Sequence, residues 1–335
     1  MYKKIDVIIP SYKPDKKYLK LIQMLQKQTY PVNRIIVLNT EEKFYERLLF
    51  GTGFGEQNKN VEVYHHSKKE FDHGMTRNKG VKRSDAELFL FMTQDAVPGD
   101  EFLVEELVNA VSKEGVAVAY ARQLADQDCH PIEQFTRSFN YPEESRIKSS
   151  KDLQELGIKT FFCSNVCAIY RRDIFDSLGG FINRTIFNED MIYAAKAIQA
   201  GYSVAYAADA RVIHSHNYTA NEQFHRNFDI GVSQADYPEV FLAYPSESEG
   251  IKMVKQTAAY LKQTGKQNLI PTLVIRSGCK YLGYKLGLNY KRLPKKMVIS
   301  LSMNKDYWRL HSLKKEVSGI DATKGYGKTE AETKK

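Results

Sequence analysis

Over the first 120 residues, short apolar runs alternate with longer segments whose apolar residues recur at helical spacing. The runs 5-IDVII-9, 34-RIIVLN-39, 61-VEVYH-65, 88-LFLFM-92 and 116-VAVAY-120 read as strands. Leu19, Ile22, Leu25 and Gln26 share a roughly helical spacing, and Pro14 and Pro31 flank them, which predicts a helix over 15–28. Strands alternating with helices predict an α/β layer fold with a mainly parallel, Rossmann-like sheet. From 122 to 159 the pattern loosens into polar residues, which predicts a long surface loop serving as a binding wall. Pattern returns with 161-FFCSNVCAIY-170, read as a buried strand. A helix over 172–178, a turn at Gly179-Gly180, a helix from Asn188 to just before Gly201, and short strands at 203–207 and 210–214 follow. Beyond Tyr218 the composition is helical, and the last fifteen or so residues are of low complexity, as in a disordered tail.

Composition narrows the class. The chain has 335 residues, 42% of them hydrophobic and 12% aromatic, enough for a large α/β domain with an appendage. Cys129, Cys163, Cys167 and Cys279 form no CxxC pair, which argues against zinc and disulfide scaffolds and for a reducing compartment. No apolar run reaches membrane-spanning length, and MYKKIDVIIPSYKP enters a strand pattern directly, unlike a secretory signal. The formal charge of +9 is uneven: residues 251–315 carry 15 Lys/Arg against one acid, Asp306, while residues 1–250 are net acidic. Basic residues there interleave with Tyr260, Tyr281, Tyr284, Tyr290, Tyr307 and Trp308, without a nucleic-acid motif. That predicts attachment to an anionic membrane surface rather than to nucleic acid.

Polar clusters fall at the carboxyl ends of the expected strands, where open α/β sheets collect ligands. They are 10-PSYKP-14 after the first strand, Asn39 after the second and 93-TQDA-96 after the fourth. A lone carboxylate such as Asp95 there suits a divalent cation on two phosphates, or else caps the next helix. In 71-FDHGMTRNKG-80, Asp72 and His73 open a helix whose first turn holds Arg77 and Asn78, so an anion could meet the helix N-terminus and a guanidinium together. In 188-NED-190, Asp190 suits a general base, or with Glu189 it favours the helix dipole. In 214-HSH-216 two imidazoles share one side of a strand, suiting Mn²⁺ or phosphate.

Taken in chain order, IPSYKP, FDHGMTRN, TQDA, NED and HSHNYT resemble the family 2 glycosyltransferases, which have the GT-A fold. The FDHG-x-TRN and TQDA forms resemble bacterial rhamnosyltransferases of that family, and the resemblance covers about residues 3–235. It implies that Pro10, Ser11 and Tyr12 line a nucleotide pocket, with Asn39, Thr93 and Gln94 also on the donor side, and that Asp72 and Arg77 hold base or diphosphate. It further implies that Asp95 binds Mg²⁺ or Mn²⁺ with His214, His216 being the alternative ligand, and that Asp190 is the catalytic base. The chain departs from the family where 38-LNTEE-42 replaces an acid after the second strand, and where Gln94 replaces the first acid of the metal motif.

The resulting expectation is a GT-A domain over 1–235, a basic helical membrane-associating or acceptor section over 236–318, and a tail over 319–335. A single base implies inversion: L-rhamnose would pass from dTDP-L-rhamnose to a lipid-linked or growing cell-surface polysaccharide. The enzyme would be cytoplasmic, peripheral on the inner face of the cell membrane, with homo-oligomers possible. Alternatives are a UDP-sugar donor, or a non-catalytic nucleotide- or sugar-binding subunit of a polysaccharide assembly complex.

Overall fold

The apolar runs pair side by side in one mixed sheet. A computed structural model describes residues 3–244 and 247–309. Its strands are β1 (Ile5–Tyr12), β2 (Arg34–Thr40), β3 (Val61–His66), β4 (Leu88–Met92), β5 (Val97–Pro98), β6 (Val116–Leu124), β7 (Arg146–Lys148), β8 (Cys167–Arg171) and β9 (Ser203–Ile213). They lie in the order β3-β2-β1-β4-β8-β6-β9-β5, with β7 also on β9. β1 to β4 pair in parallel, β8 runs antiparallel between β4 and β6, and β9 returns parallel to β6. The central strands are covered on both faces, which is why 88-LFLFM-92 and 116-VAVAY-120 read as unbroken apolar runs. Leu88, Leu90 and Met92 enter one core with Tyr18, Leu21 and Leu107, while Phe89 and Phe91 enter the other with Tyr170, Phe175 and Tyr193.

Several expected boundaries shift for local reasons. The first helix spans only Lys16–Leu25; beyond its end the Gln28 side chain bonds Met24 O, Asp100 O and Val104 N. The strand expected over 161–170 begins at Cys167; Phe161 ends a 3-10 turn, and 164–166 form a bend whose backbone serves the site. The two short strands after residue 202 are one strand, β9, with an irregularity that carries Ala207 and Arg211 past adjacent β6 residues Ala121 and Arg122. The loose stretch 122–159 is more than a loop. It extends β6 to Leu124, forms the helix Pro131–Asn140 with Pro at its first turn, and supplies β7.

The C-terminal helices are joined to the body by close backbone contact. Helix Ile270–Leu288 lies along helix Ala220–Asp236, and a Cβ at Gly283 or Gly287 would collide with the carbonyl oxygen of Phe224 or Phe228. Asp229 then accepts the Met303 and Asn304 amides at 2.9 and 3.0 Å, tying the following segment to the same helix. The tail at 319–335 lies outside the described residues, as does the end of the basic section. Among the described residues no helix is long and apolar enough to cross a membrane.

Candidate active site

The segment 71–80 is a scaffold for the loop that carries Asp190. Asp72 caps helix His73–Val81, its Oδ1 accepting the Met75 amide at 2.8 Å. Gly74 is required because a Cβ there would strike the carbonyl oxygen of Ile182. Asn78 clamps the same stretch: its Nδ2 donates to Phe181 O at 2.8 Å and its Oδ1 accepts Phe181 N at 3.1 Å. The His73 ring stacks on Phe187 at 5.3 Å. Arg77 is turned inward. Its guanidinium is buried, 3.1 Å from the equally buried Glu189, and donates to His73 O at 3.0 Å. His73, Gly74, Arg77 and Asn78 therefore each meet some part of 181–190, while Asp72 starts the helix that carries them.

Asn188, in the left-handed region at φ 65°, starts the helix Glu189–Gln199. Asn165 serves both acids of its first turn: the backbone amide donates to Asp190 Oδ2 at 2.9 Å, and Nδ2 donates to Glu189 Oε1 at 3.0 Å. Burial opposes ionisation of Glu189, but Arg77, His73 and Asn165 hold its carboxyl below the usual range. Asp190 goes the other way. Burial, then the adjacent Glu189 charge, push it up to about 7. Two neighbouring carboxylates are thus separated into a fixed anion and a group poised to exchange a proton near neutrality.

At the C-terminal end of β4, Asp95 meets the chain leaving β9. Asp95 Oδ2 lies 3.6 Å from His214 Nε2 and 3.4 Å from His216 Nε2. One ligand atom from each falls within 4.8 Å of the others. Burial alone would raise the Asp95 pKa; the two imidazoles and the Thr93 hydroxyl outweigh it and hold the carboxyl below its ordinary value. Burial lowers both imidazoles, His216 to about 4 with help from His214. At neutral pH the cluster therefore offers one carboxylate and two neutral nitrogens. This mixed N/O set fits Mn²⁺ better than the oxygen-preferring Mg²⁺.

The remaining expected residues fall around this cluster. Gln94 is a latch: its Oε1 accepts Ser11 Oγ at 2.7 Å and Tyr12 N at 2.9 Å, while its Nε2 donates to Tyr12 O at 2.9 Å. An acid could not donate the last bond, which gives Gln at this position a physical reason. Pro10, Ser11 and Tyr12 lie opposite Leu38, Asn39 and Thr40 in the sheet. Tyr12 meets Phe44 edge-on at 5.8 Å, with the Lys13 and Lys68 ammonium groups over its ring. Asn39 is fully buried against His65, and its Oδ1 has no partner among the described protein groups. Thr93 is tied to the bend before β8 through its amide and Val166 O at 3.1 Å.

Residues 6–179, just over half of the chain, match the family described as glycosyl transferase family 2. The O-antigen chain rhamnosyltransferase RfbN of Salmonella typhimurium is 38% identical over 91% of this chain and 96% of its own length. The chain belongs to glycosyl transferase family 2. The O-antigen chain rhamnosyltransferase WbaN of Salmonella anatum is 37% identical over 90% of this chain and 95% of its own. In fold, this family 2 glycosyltransferase is similar to the mannosyltransferase PcManGT of Pyrobaculum calidifontis, solved with GDP-Man and Mn²⁺, with a TM-score of 0.54 and 12% identity over 94% of this chain and 87% of that one. The sheet and the neighbour together give a GT-A fold with a helical C-terminal section. The sequence reading of this glycosyltransferase missed Gln123, Arg137 and Asn165, and assigned Glu189 no chemical role. Arg137 had a signal, standing four residues after Glu133 in a segment that opens with His130-Pro131.

Proposed function

We propose that the enzyme transfers L-rhamnose, with inversion, from dTDP-L-rhamnose to a saccharide acceptor on a lipid carrier, as a step in building a cell-surface polysaccharide. The observation that carries this reading is Asp190, a carboxyl with raised proton affinity next to an acid already committed elsewhere. It would take the proton of the acceptor hydroxyl as that oxygen attacks the anomeric carbon, at the pH where base strength and availability balance. Glu189 is held by Arg77 and Asn165, so it is not free to act as a nucleophile, and this supports a single in-line displacement. Asp95, His214 and His216 would hold the divalent cation. When bound, the cation offsets the negative charge that grows on the departing nucleoside diphosphate. Tyr12 and Phe44 would form the aromatic wall for the base, with Gln94 fixing the Tyr12 backbone. The choice of L-rhamnose and of a polysaccharide acceptor draws support from two relatives, named as O-antigen chain rhamnosyltransferases, that match nearly end to end.

The domain reading places catalysis in 1–235 and acceptor or membrane contact in 236–318. Val274, Ile275, Tyr281 and Leu282 recur at helical spacing on helix Ile270–Leu288, and each is more than half exposed. Thirteen Lys/Arg stand against one acid over 251–309. An apolar stripe in so basic a section suits shallow insertion at an anionic membrane on the cytoplasmic face, where a lipid carrier would present its saccharide. The test is transfer from dTDP-L-rhamnose to a lipid-linked oligosaccharide, with NMR assignment of the new linkage. Opposite anomeric configuration in donor and product is expected. Retention, or transfer only from a UDP-sugar, would overturn the reading.

A further inference from the structure

Gln123, at the end of β6, is buried and fully engaged. Its Oε1 lies 2.5 Å from Arg137 Nη1 and 3.0 Å from His214 Nδ1, and its Nε2 lies 2.6 Å from the Tyr141 hydroxyl and 3.0 Å from Ser164 Oγ. A side-chain amide can be turned over, so its orientation must follow from its partners. The two hydroxyls accept or donate and impose nothing. Arg137 only donates, so the atom facing it must be the amide oxygen. Glu133 Oε1, 3.0 Å from Arg137 Nε, holds the guanidinium in place.

The same oxygen faces His214, so the proton of that neutral ring must sit on Nδ1. Nε2 then presents its lone pair, and Nε2 is the atom turned toward Asp95 and His216. Asp95 by itself would favour the opposite tautomer. A carboxylate beside Nε2 attracts a proton onto that nitrogen, which would occupy the lone pair a cation needs. Two demands compete for one imidazole, and the guanidinium decides between them through the amide.

We propose that Arg137 and Gln123 form a positioning pair that keeps His214 in its ligating tautomer before any cation arrives. The inference rests on the reading of Asp95, His214 and His216 as a divalent-cation site. It gives the helix Pro131–Asn140 a task, since Glu133 and Arg137 both stand on it. Removal of Arg137 frees the amide to turn over, accept nothing from His214, and donate to a bare Nδ1 while Nε2–H bonds Asp95.

The test is a long-range ¹H–¹⁵N correlation spectrum of ¹⁵N-histidine-labelled, metal-free protein, with His214 assigned by loss of its signals in His214→Ala. Wild type is expected to show the proton on Nδ1, and Arg137→Met to move it to Nε2. Outer partners of metal ligands are worth about 10–100-fold in affinity, and Mn²⁺ titrated alone into Arg137→Met should weaken by that order. Gln123→Glu can accept from both Arg137 and His214 while Tyr141 and Ser164 turn to donate. It should keep the tautomer and hold Mn²⁺ within a few-fold of wild type. A wild-type proton on Nε2, or an unchanged tautomer in Arg137→Met, overturns the proposal. If wild type has the Nδ1–H tautomer yet binds no Mn²⁺, the cation reading fails instead, and the ligating role fails with it.

Discussion

Replacement of Asp190 by Asn should lower turnover while removing a pH-dependent cost of folding. The wild-type carboxyl ionises near 3.8 when unfolded and at about 7 in the fold. Since the folded value is the higher, the stability this group contributes is present in full below the unfolded value and is lost as pH rises through about 7. At about 1.4 kcal/mol per pH unit, the loss between about pH 5 and pH 7 is at most roughly 3 kcal/mol, and the curve flattens above that. Asn has no such titration. Its amide does forfeit one of the two bonds from Asn165 N and Met191 N, at about 1 kcal/mol or somewhat more, but that cost does not vary with pH. The assay is urea unfolding of both proteins across that range. The variant, weaker or equal near pH 5, should gain on wild type up to about pH 7 and level off above it. Turnover should fall about 10²–10⁴-fold, as when a general base is lost, and the acid limb of wild-type kcat/KM should have its midpoint near 7. Parallel stability profiles would refute the raised proton affinity, and undiminished turnover would remove Asp190 from the chemistry.

Arg77→Met strands the buried Glu189 charge and should cost about 3–5 kcal/mol of stability, read by thermal or urea unfolding; a raised KM for the donor at unchanged stability would instead make Arg77 a ligand for the diphosphate. Gly287→Ala drives a methyl into the Phe228 carbonyl and should destabilise by about 1–3 kcal/mol, and normal stability would mean the two helices are not in the contact described. Val274→Asp with Ile275→Asp should abolish sedimentation with anionic vesicles at low salt without altering transfer to a soluble acceptor, and retained binding would assign the membrane contact to another surface.

Strands with two buried faces were legible because their apolar runs are unbroken, and all five expected in the first 120 residues are present, four with longer ends. The chain alone could not show where a motif's side chains point. FDHGMTRN looked like a phosphate grip because an Arg and a helix N-terminus are adjacent in it; in space Arg77 turns inward to Glu189, 112 positions along the chain, and Asn78 reaches Phe181. Asp95, His214 and His216 could be named as a set because each ends a readable strand. Gln123 and Asn165 could not, since their importance lies in hydrogen bonds to residues 91 and 25 positions away, and no local pattern records those. The segment 122–159 lost its pattern because its helix and strand bury only part of their surface, against β9 and the C-terminal helices.

The proposed chemistry depends on a nucleoside diphosphate held by a cation at Asp95, His214 and His216. Isothermal titration of dTDP, UDP and GDP, each with and without Mn²⁺, tests this most directly. Binding of dTDP that is strong with Mn²⁺ and nearly lost without it, or lost in His214→Ala, is the predicted result. Equal dTDP binding with and without the cation, or a clear preference for UDP or GDP, would contradict it.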